Sequence, residues 1–220
     1  GGGGGGGGPS SESGTPGGGT PANVEEVAIS NLSAYLAAKP ANDAGSAYKI
    51  KITGLTTANY NDISKVLTAN FLKFVDLSAT TLPSGITDMN GCFAACTSLV
   101  QAPVIPNGVT NMSRCFMQCT SLVQAPAIPN GVTNMYSCFY NCTSLVQAPA
   151  IPNGVTDMSN CFTQCTSLKT VQINTTVCKN WFYCFNKCTS ITSITVPDAT
   201  VQTTIAGAIG NSAVSSKITY

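Results

Sequence analysis

The middle of the chain keeps its apolar residues in fixed columns. In "NMSRCFMQCTSL", Asn111 to Leu122, the residues Met112, Cys115, Phe116 and Cys119 stand at i, i+3, i+4 and i+7. That is the spacing of one helical face, so it predicts a short helix with Ser113, Arg114, Met117 and Gln118 on its opposite side. Thr110 or Asn111 is placed to cap it. The following "LVQAPAIP" predicts a strand, but its prolines cannot donate to a ladder, which limits pairing to about Leu122 to Ala125 with Pro126 at the edge. "PNG", at Asn107, Asn130 and Asn153, supplies turns. Nearer the N-terminus, Val24, Val27, Leu32, Tyr35 and Leu36 follow a helical spacing that stops before Pro40. "YKIKITGL" then alternates like a strand, "NDISKVLTANFL" reads as a helix and "KFVDL" as another strand, an αβαβ unit.

The columns recur. Paired cysteines fall at 92 and 96, 115 and 119, 138 and 142, 161 and 165, and 184 and 188, each pair displaced by 23 from the last. A period of 23 residues lies within the range in which each repeat gives one short strand and one helical or 3₁₀ segment. The expected fold class is therefore α/β: a leucine-rich-repeat solenoid of about 23-residue repeats, with short parallel strands on one face and short helical segments on the other. Residues 1–22 contain no large apolar side chain and read as a flexible Gly-rich tether. Residues 23–75 form the αβαβ N-terminal capping unit, 76–200 the solenoid and 201–220 a C-terminal cap. In the cap the cysteine positions have become Gly207 and Asn211, and the Phe position Ala208.

Charge narrows the function classes. Only 9% of the 220 residues are charged, the net charge is +1, and Arg114 is the single basic residue between Leu99 and Leu168. A nucleic-acid partner, which needs several cations on one face, is not expected. There is no histidine, which removes the commonest general base and the commonest metal ligand together. No Ser/His/Asp or Cys/His constellation can form, so we expect no enzyme and no cofactor. No window approaches 18 consecutive apolar residues, and any membrane contact is expected through an N-terminal lipid anchor outside this chain.

The 11 cysteines admit three readings. Cys92, Cys96, Cys115, Cys119, Cys138, Cys142, Cys161, Cys165, Cys184 and Cys188 form a structural ladder of small buried hydrophobes in the first. Disulfides between neighbouring repeats, such as Cys119 to Cys138, are the second; an odd number leaves one thiol over, for which Cys178 is the candidate. Metal binding is the third, but Phe and Met share the face and a dry apolar site suits thiolates poorly, so no metal is expected.

Candidate binding residues are those that vary between copies. One column runs Ser113, Tyr136, Ser159, Phe182 and another Met117, Tyr140, Thr163, Asn186. We take Arg114, Met117, Gln118, Tyr136, Tyr140, Asn141, Gln164, Phe182, Tyr183 and Lys187 as the binding set, because exposed Tyr, Met and Arg are enriched in recognition surfaces. Neutral variation on a solvated surface is the alternative. The strand side, where Gln101, Gln124 and Gln147 stack in register, is the rival surface.

"NMSRCFMQCTSL" and "DMNGCFAACTSL" resemble the M-x-x-[MC]-F-x-x-C-x-S-L pattern of BspA-like leucine-rich-repeat surface proteins of host-associated bacteria. The resemblance implies export to the cell surface or beyond, often as an outer-membrane lipoprotein, and adhesion to a protein or glycan on a host or bacterial surface by a monomer. Two other classes stand beside that expectation: a cysteine-ladder metal or thiol redox protein, and a passive surface spacer.

Overall fold

The computed structural model describes residues 23–209 and 211–220; the tether expected over 1–22 lies outside the described residues. The chain winds as a series of stacked rungs whose strands all run parallel. Strand β1 (Glu25–Ala28) leads into helix α1 (Ile29–Ala38); β2 (Tyr48–Thr53), helix α2 (Asp62–Ala69), β3 (Val75–Asp76) and β4 (Leu99–Gln101) follow. These four strands make one sheet in sequence order. A second sheet holds β5 (Thr170–Gln172), β6 (Ser193–Thr195) and β7 (Ile218–Thr219), with helices α3 (Ala199–Ala208) and α4 (Ser212–Ser215) between the last two. Single bridges, Gln101 to Gln124, Gln124 to Gln147 and Gln147 to Thr170, join the two sheets. The prolines explain the narrowing: where "APAIP" follows, pairing shrinks to one residue per rung.

The N-terminal unit is βαβαβ rather than αβαβ. Glu25–Ala28, expected in the first helix, is a strand paired in register with Glu25 opposite Ile50 and Val27 opposite Ile52. Val27 is buried, while Glu25 and Glu26 reach outward to Lys39 and Lys51, both at 3.7 Å. Charges on such an edge oppose pairing with another chain. The helix proper begins at Ile29 and buries Leu32 and Leu36.

The second half of each central repeat is wound as linked turns where a helix was expected. The N–H of Cys115 donates to the Met112 carbonyl and that of Cys119 to the Phe116 carbonyl, each at 3.1 Å, closing two four-residue turns. Arg114 and Gln118, third in those turns, have φ of 54° and 61°. A positive φ at that place belongs to a type II turn and breaks any helix. Between the turns the chain is flat enough to pair with the next rung. N–H groups of Met112, Arg114, Phe116 and Gln118 donate to the carbonyls of Asn134, Tyr136, Cys138 and Tyr140 at 2.9, 2.8, 2.9 and 2.7 Å. Asn111 does not cap a helix; its Oδ1 accepts from the Ser113 N–H at 2.9 Å in an Asx turn, as Asp157 does for Ser159. The "PNG" segments close tight turns, with the Val132 N–H donating to the Pro129 carbonyl at 3.2 Å.

This winding drops one side chain of each kind onto its predecessor. Phe93, Phe116, Phe139, Phe162 and Phe185 form a column with ring centroids 5.5 to 5.6 Å apart and planes within 7° of parallel, all fully buried. Met89, Met112, Met135 and Met158 form another, completed by Trp181, and the leucines a third. Each large side chain contributes about 1.5–3 kcal/mol by burial, and each ring pair about 0.5–1.5 kcal/mol more. Phe139→Ala is expected to cost about 3–5 kcal/mol in urea denaturation, because its cavity is walled by Phe116 and Phe162. A cost under about 1 kcal/mol would remove the ring from the core.

Candidate recognition surface

The residues that vary between repeats sit on the turn side, and the turns dictate how each is displayed. Arg114, Gln118, Asn141, Gln164, Tyr183 and Lys187 all occupy left-handed backbone, with φ between 50° and 63°. This region costs a side-chain-bearing residue about 1–2 kcal/mol, an expense met by the ladder bonds on either side. Arg114, Gln118 and Lys187 are exposed; Met117, Tyr136, Tyr140, Asn141 and Gln164 are half-buried. Phe182 and Tyr183 are 54% and 41% exposed although both carry large aromatic rings.

The binding set falls into two clusters. In the first, the Arg114 guanidinium lies over the Tyr136 ring at 4.6 Å, and main-chain bonds tie Arg114 to Tyr136 and Gln118 to Tyr140 across one rung. In the second, Phe182 and Tyr183 pack with ring centroids 4.0 Å apart, and Lys187 stands one turn on. Asn141 and Gln164 lie between. Small members of the same columns behave differently from the expectation that they are solvated. Ser113, Ser159 and Thr163 are buried. The Ser159 hydroxyl donates to Asp157 at 2.7 Å, and that of Thr163 to the Tyr183 carbonyl at 2.7 Å. A short hydroxyl satisfied locally folds inward, whereas a ring too large for the pocket must project.

The cysteines face the opposite way. Ten of the 11 are buried and all are free thiols; Cys178 is half-buried. The second column is bonded along the axis: Sγ of Cys119, Cys142, Cys165 and Cys188 donates to the carbonyl of Phe93, Phe116, Phe139 and Phe162 at 3.1, 3.1, 3.0 and 2.9 Å. Burial pushes the Cys92, Cys96 and Cys188 thiols up to about 12, and Cys178 to about 11. Cys115, Cys119, Cys142, Cys161, Cys165 and Cys184 are raised well above the ordinary value by the same cause. Thiolate is the nucleophile and the metal ligand, so burial suppresses both kinds of chemistry. Among the described residues, no group of three or more His, Cys, Asp or Glu is arranged to hold a metal.

The strand side carries a second surface that the sequence showed in part. A furrow of about 430 Å³ beside Gln101 and Gln124 meets one of about 840 Å³ beside Gln124, Gln147, Thr170 and Ser193. Gln101, Gln124 and Gln147 were legible as a stack; Thr170 and Ser193 continue it at the same period, a signal present in the sequence that their change of residue type concealed.

Stacked rungs of 23 residues with parallel strands on one side define a leucine-rich-repeat solenoid. The chain belongs to the BspA-type leucine-rich-repeat family, whose model matches in six copies over residues 48–146 and 89–217. Repeats of this family generally serve protein interaction, are typically non-enzymatic and are often surface-exposed or secreted. A leucine-rich-repeat protein of T. pallidum, known from its crystal structure, is similar at 25% identity over 54% of this chain, with a TM-score of 0.47; the match spans 58% of that protein. No curated protein matches the chain. Among the described residues no helix is long and apolar enough to cross a membrane.

The thiols give the protein an alkaline limit. Unfolded thiols ionise near pH 8.5 while the buried ones stay protonated, so the folded state binds more protons above that pH. The stabilisation is complete below about pH 8.5 and falls by about 1.4 kcal/mol per thiol per pH unit above it, until the folded values are passed. Urea midpoints under reducing conditions should be level from pH 6 to 8 and fall steeply from pH 9 to 11. A level profile to pH 11 would mean that the cysteines are solvated in the folded state.

Proposed function

We propose that this is a non-enzymatic adhesion or recognition protein of the cell surface, working as a monomer that holds a protein partner against its turn side. Residues 23–75 and 201–220 cap the array. The observation that carries the reading is the display of bulky aromatic and cationic side chains on a rigid backbone. Tyr136 and Tyr140 project beside Arg114 from turns whose alternate N–H groups are fixed to the next rung, and Phe182 and Tyr183 project beside Lys187, where the Tyr183 N–H donates to the Ala208 carbonyl at 3.4 Å. Rigid aromatic anchors lose little entropy on binding and dominate interface energetics. A passive spacer would need no such rings.

Tyr136→Ala combined with Tyr140→Ala should leave the melting temperature within about 2 °C of wild type, since neither ring belongs to the stacked columns. The same variant, and separately Phe182→Ser, should weaken capture of host-matrix or bacterial surface proteins by immobilised wild-type chain by about tenfold or more. A melting temperature lowered by about 10 °C would place the tyrosines in the core and end the proposal.

A further inference from the structure

We infer that the furrow on the strand side is a second binding site, and that it takes a neutral, extended, β-linked hexopyranose chain laid along the solenoid axis. The inference does not depend on the turn-side reading. Its first support is a ladder of hydrogen-bonding side chains. Gln101, Gln124, Gln147, Thr170 and Ser193 are bridged in sequence as parallel partners, one per rung, each 23 residues from the last. Among the described residues none of these five side chains has a hydrogen-bond partner, and all five line the furrow. Carboxamides offer two donors and an acceptor on one group, so they meet sugar hydroxyls in either orientation.

The second support is charge. Among the described residues no Asp, Glu, Lys or Arg lines either half of the furrow. A phosphate polymer or a uronic-acid chain would find no cation there, and a basic peptide no carboxylate. Between the ladder positions, Ala125, Pro126, Ala127, Val146 and Pro149 give small apolar walls, and Asn107, Asn130, Gln172 and Thr195 add neutral polar groups beside them. Val123 and Val146 remain 43% and 45% exposed beside it. The aliphatic C–H face of a pyranose suits such walls.

Spacing decides between a sugar chain and a peptide. Neighbouring rungs lie about 4.8 Å apart, so the five ladder positions span about 19 Å. One ring of an extended β-linked hexopyranose chain advances by close to one rung and the same face returns every second ring, so the chain stays close to step with every second side chain of the ladder. An extended peptide advances about 3.3 Å per residue and repeats a face about every 6.7 Å, so it drifts out of step within two rungs.

The test uses the whole chain and β-1,4-linked glucose oligomers of two to six units, titrated by calorimetry. Affinity should rise with length and level off at about five units, one per ladder position. Gln124→Ala with Gln147→Ala should lower the affinity for the hexamer about tenfold with the melting temperature unchanged, since both side chains are exposed. The Tyr136→Ala and Tyr140→Ala double variant should bind the hexamer as wild type does. Binding that ignores length, a hexamer of β-linked uronic acid binding as tightly as the neutral one, no binding to any neutral oligomer, or loss of binding in the tyrosine variant would each overturn the proposal. Failure here leaves turn-side capture of proteins intact, and failure of that capture leaves the titration unaffected, so the two are separable.

Discussion

The N–H of Phe116 has no acceptor within its own rung; it donates to the Cys138 carbonyl 2.9 Å away in the next. The same is true of Met112, Arg114 and Gln118, and of their equivalents in every central repeat. A rung is therefore complete only when another of the same shape is stacked on it, since an unpaired buried N–H costs about as much as a lost hydrogen bond. Shape identity between rungs is the constraint from which the rest follows. It holds the five phenylalanine rings in one column, permits proline to erode the strand side without loss of order, and requires special rungs at both ends.

The cysteines follow from that constraint. At the second cysteine position the core needs a side chain short enough to lie under the turn and able to donate to a carbonyl one rung back. A thiol meets both needs, as Cys142 does with Phe116 at 3.1 Å. The C-terminal cap shows the donor to be what is retained. Asn211 stands at the same phase, and its carboxamide Nδ2 donates to the Phe185 carbonyl at 3.1 Å, carrying the ladder one step past the last cysteine. Sulfur here is a structural donor shielded from solvent rather than a reactive group.

Much of this was legible in the sequence, because a period of 23 and columns of Met, Cys, Phe and Leu leave little freedom in how rungs stack. The local winding was not. Two successive type II turns place residues i, i+3, i+4 and i+7 inward just as a helix does, so periodicity could not tell them apart. Gly91 was the one signal, since it occupies the first left-handed position where later copies carry Arg114 or Tyr183. Val24 and Val27 likewise fitted the spacing of Leu32 and Leu36, and a strand of four residues is too short to outweigh that pattern. On the surface, Arg114, Tyr136 and Phe182 were readable as projecting groups, while the inward turn of Ser159 and Thr163 depended on acceptors that only the folded chain supplies.

The left-handed residue before each of the ten ladder cysteines also governs how such a surface can evolve. The ten positions are Gly91, Ala95, Arg114, Gln118, Ser137, Asn141, Asn160, Gln164, Tyr183 and Lys187. They span small, polar, cationic and aromatic side chains, and none of them is Val, Ile or Thr, the residues whose branched β-carbon tolerates that backbone least. Repeat duplication thus hands each new copy a permissive vocabulary with one class of word struck out. Diversification at these left-handed positions is free in charge and size and restricted in branching, a grammar set by the backbone before any partner exerts selection.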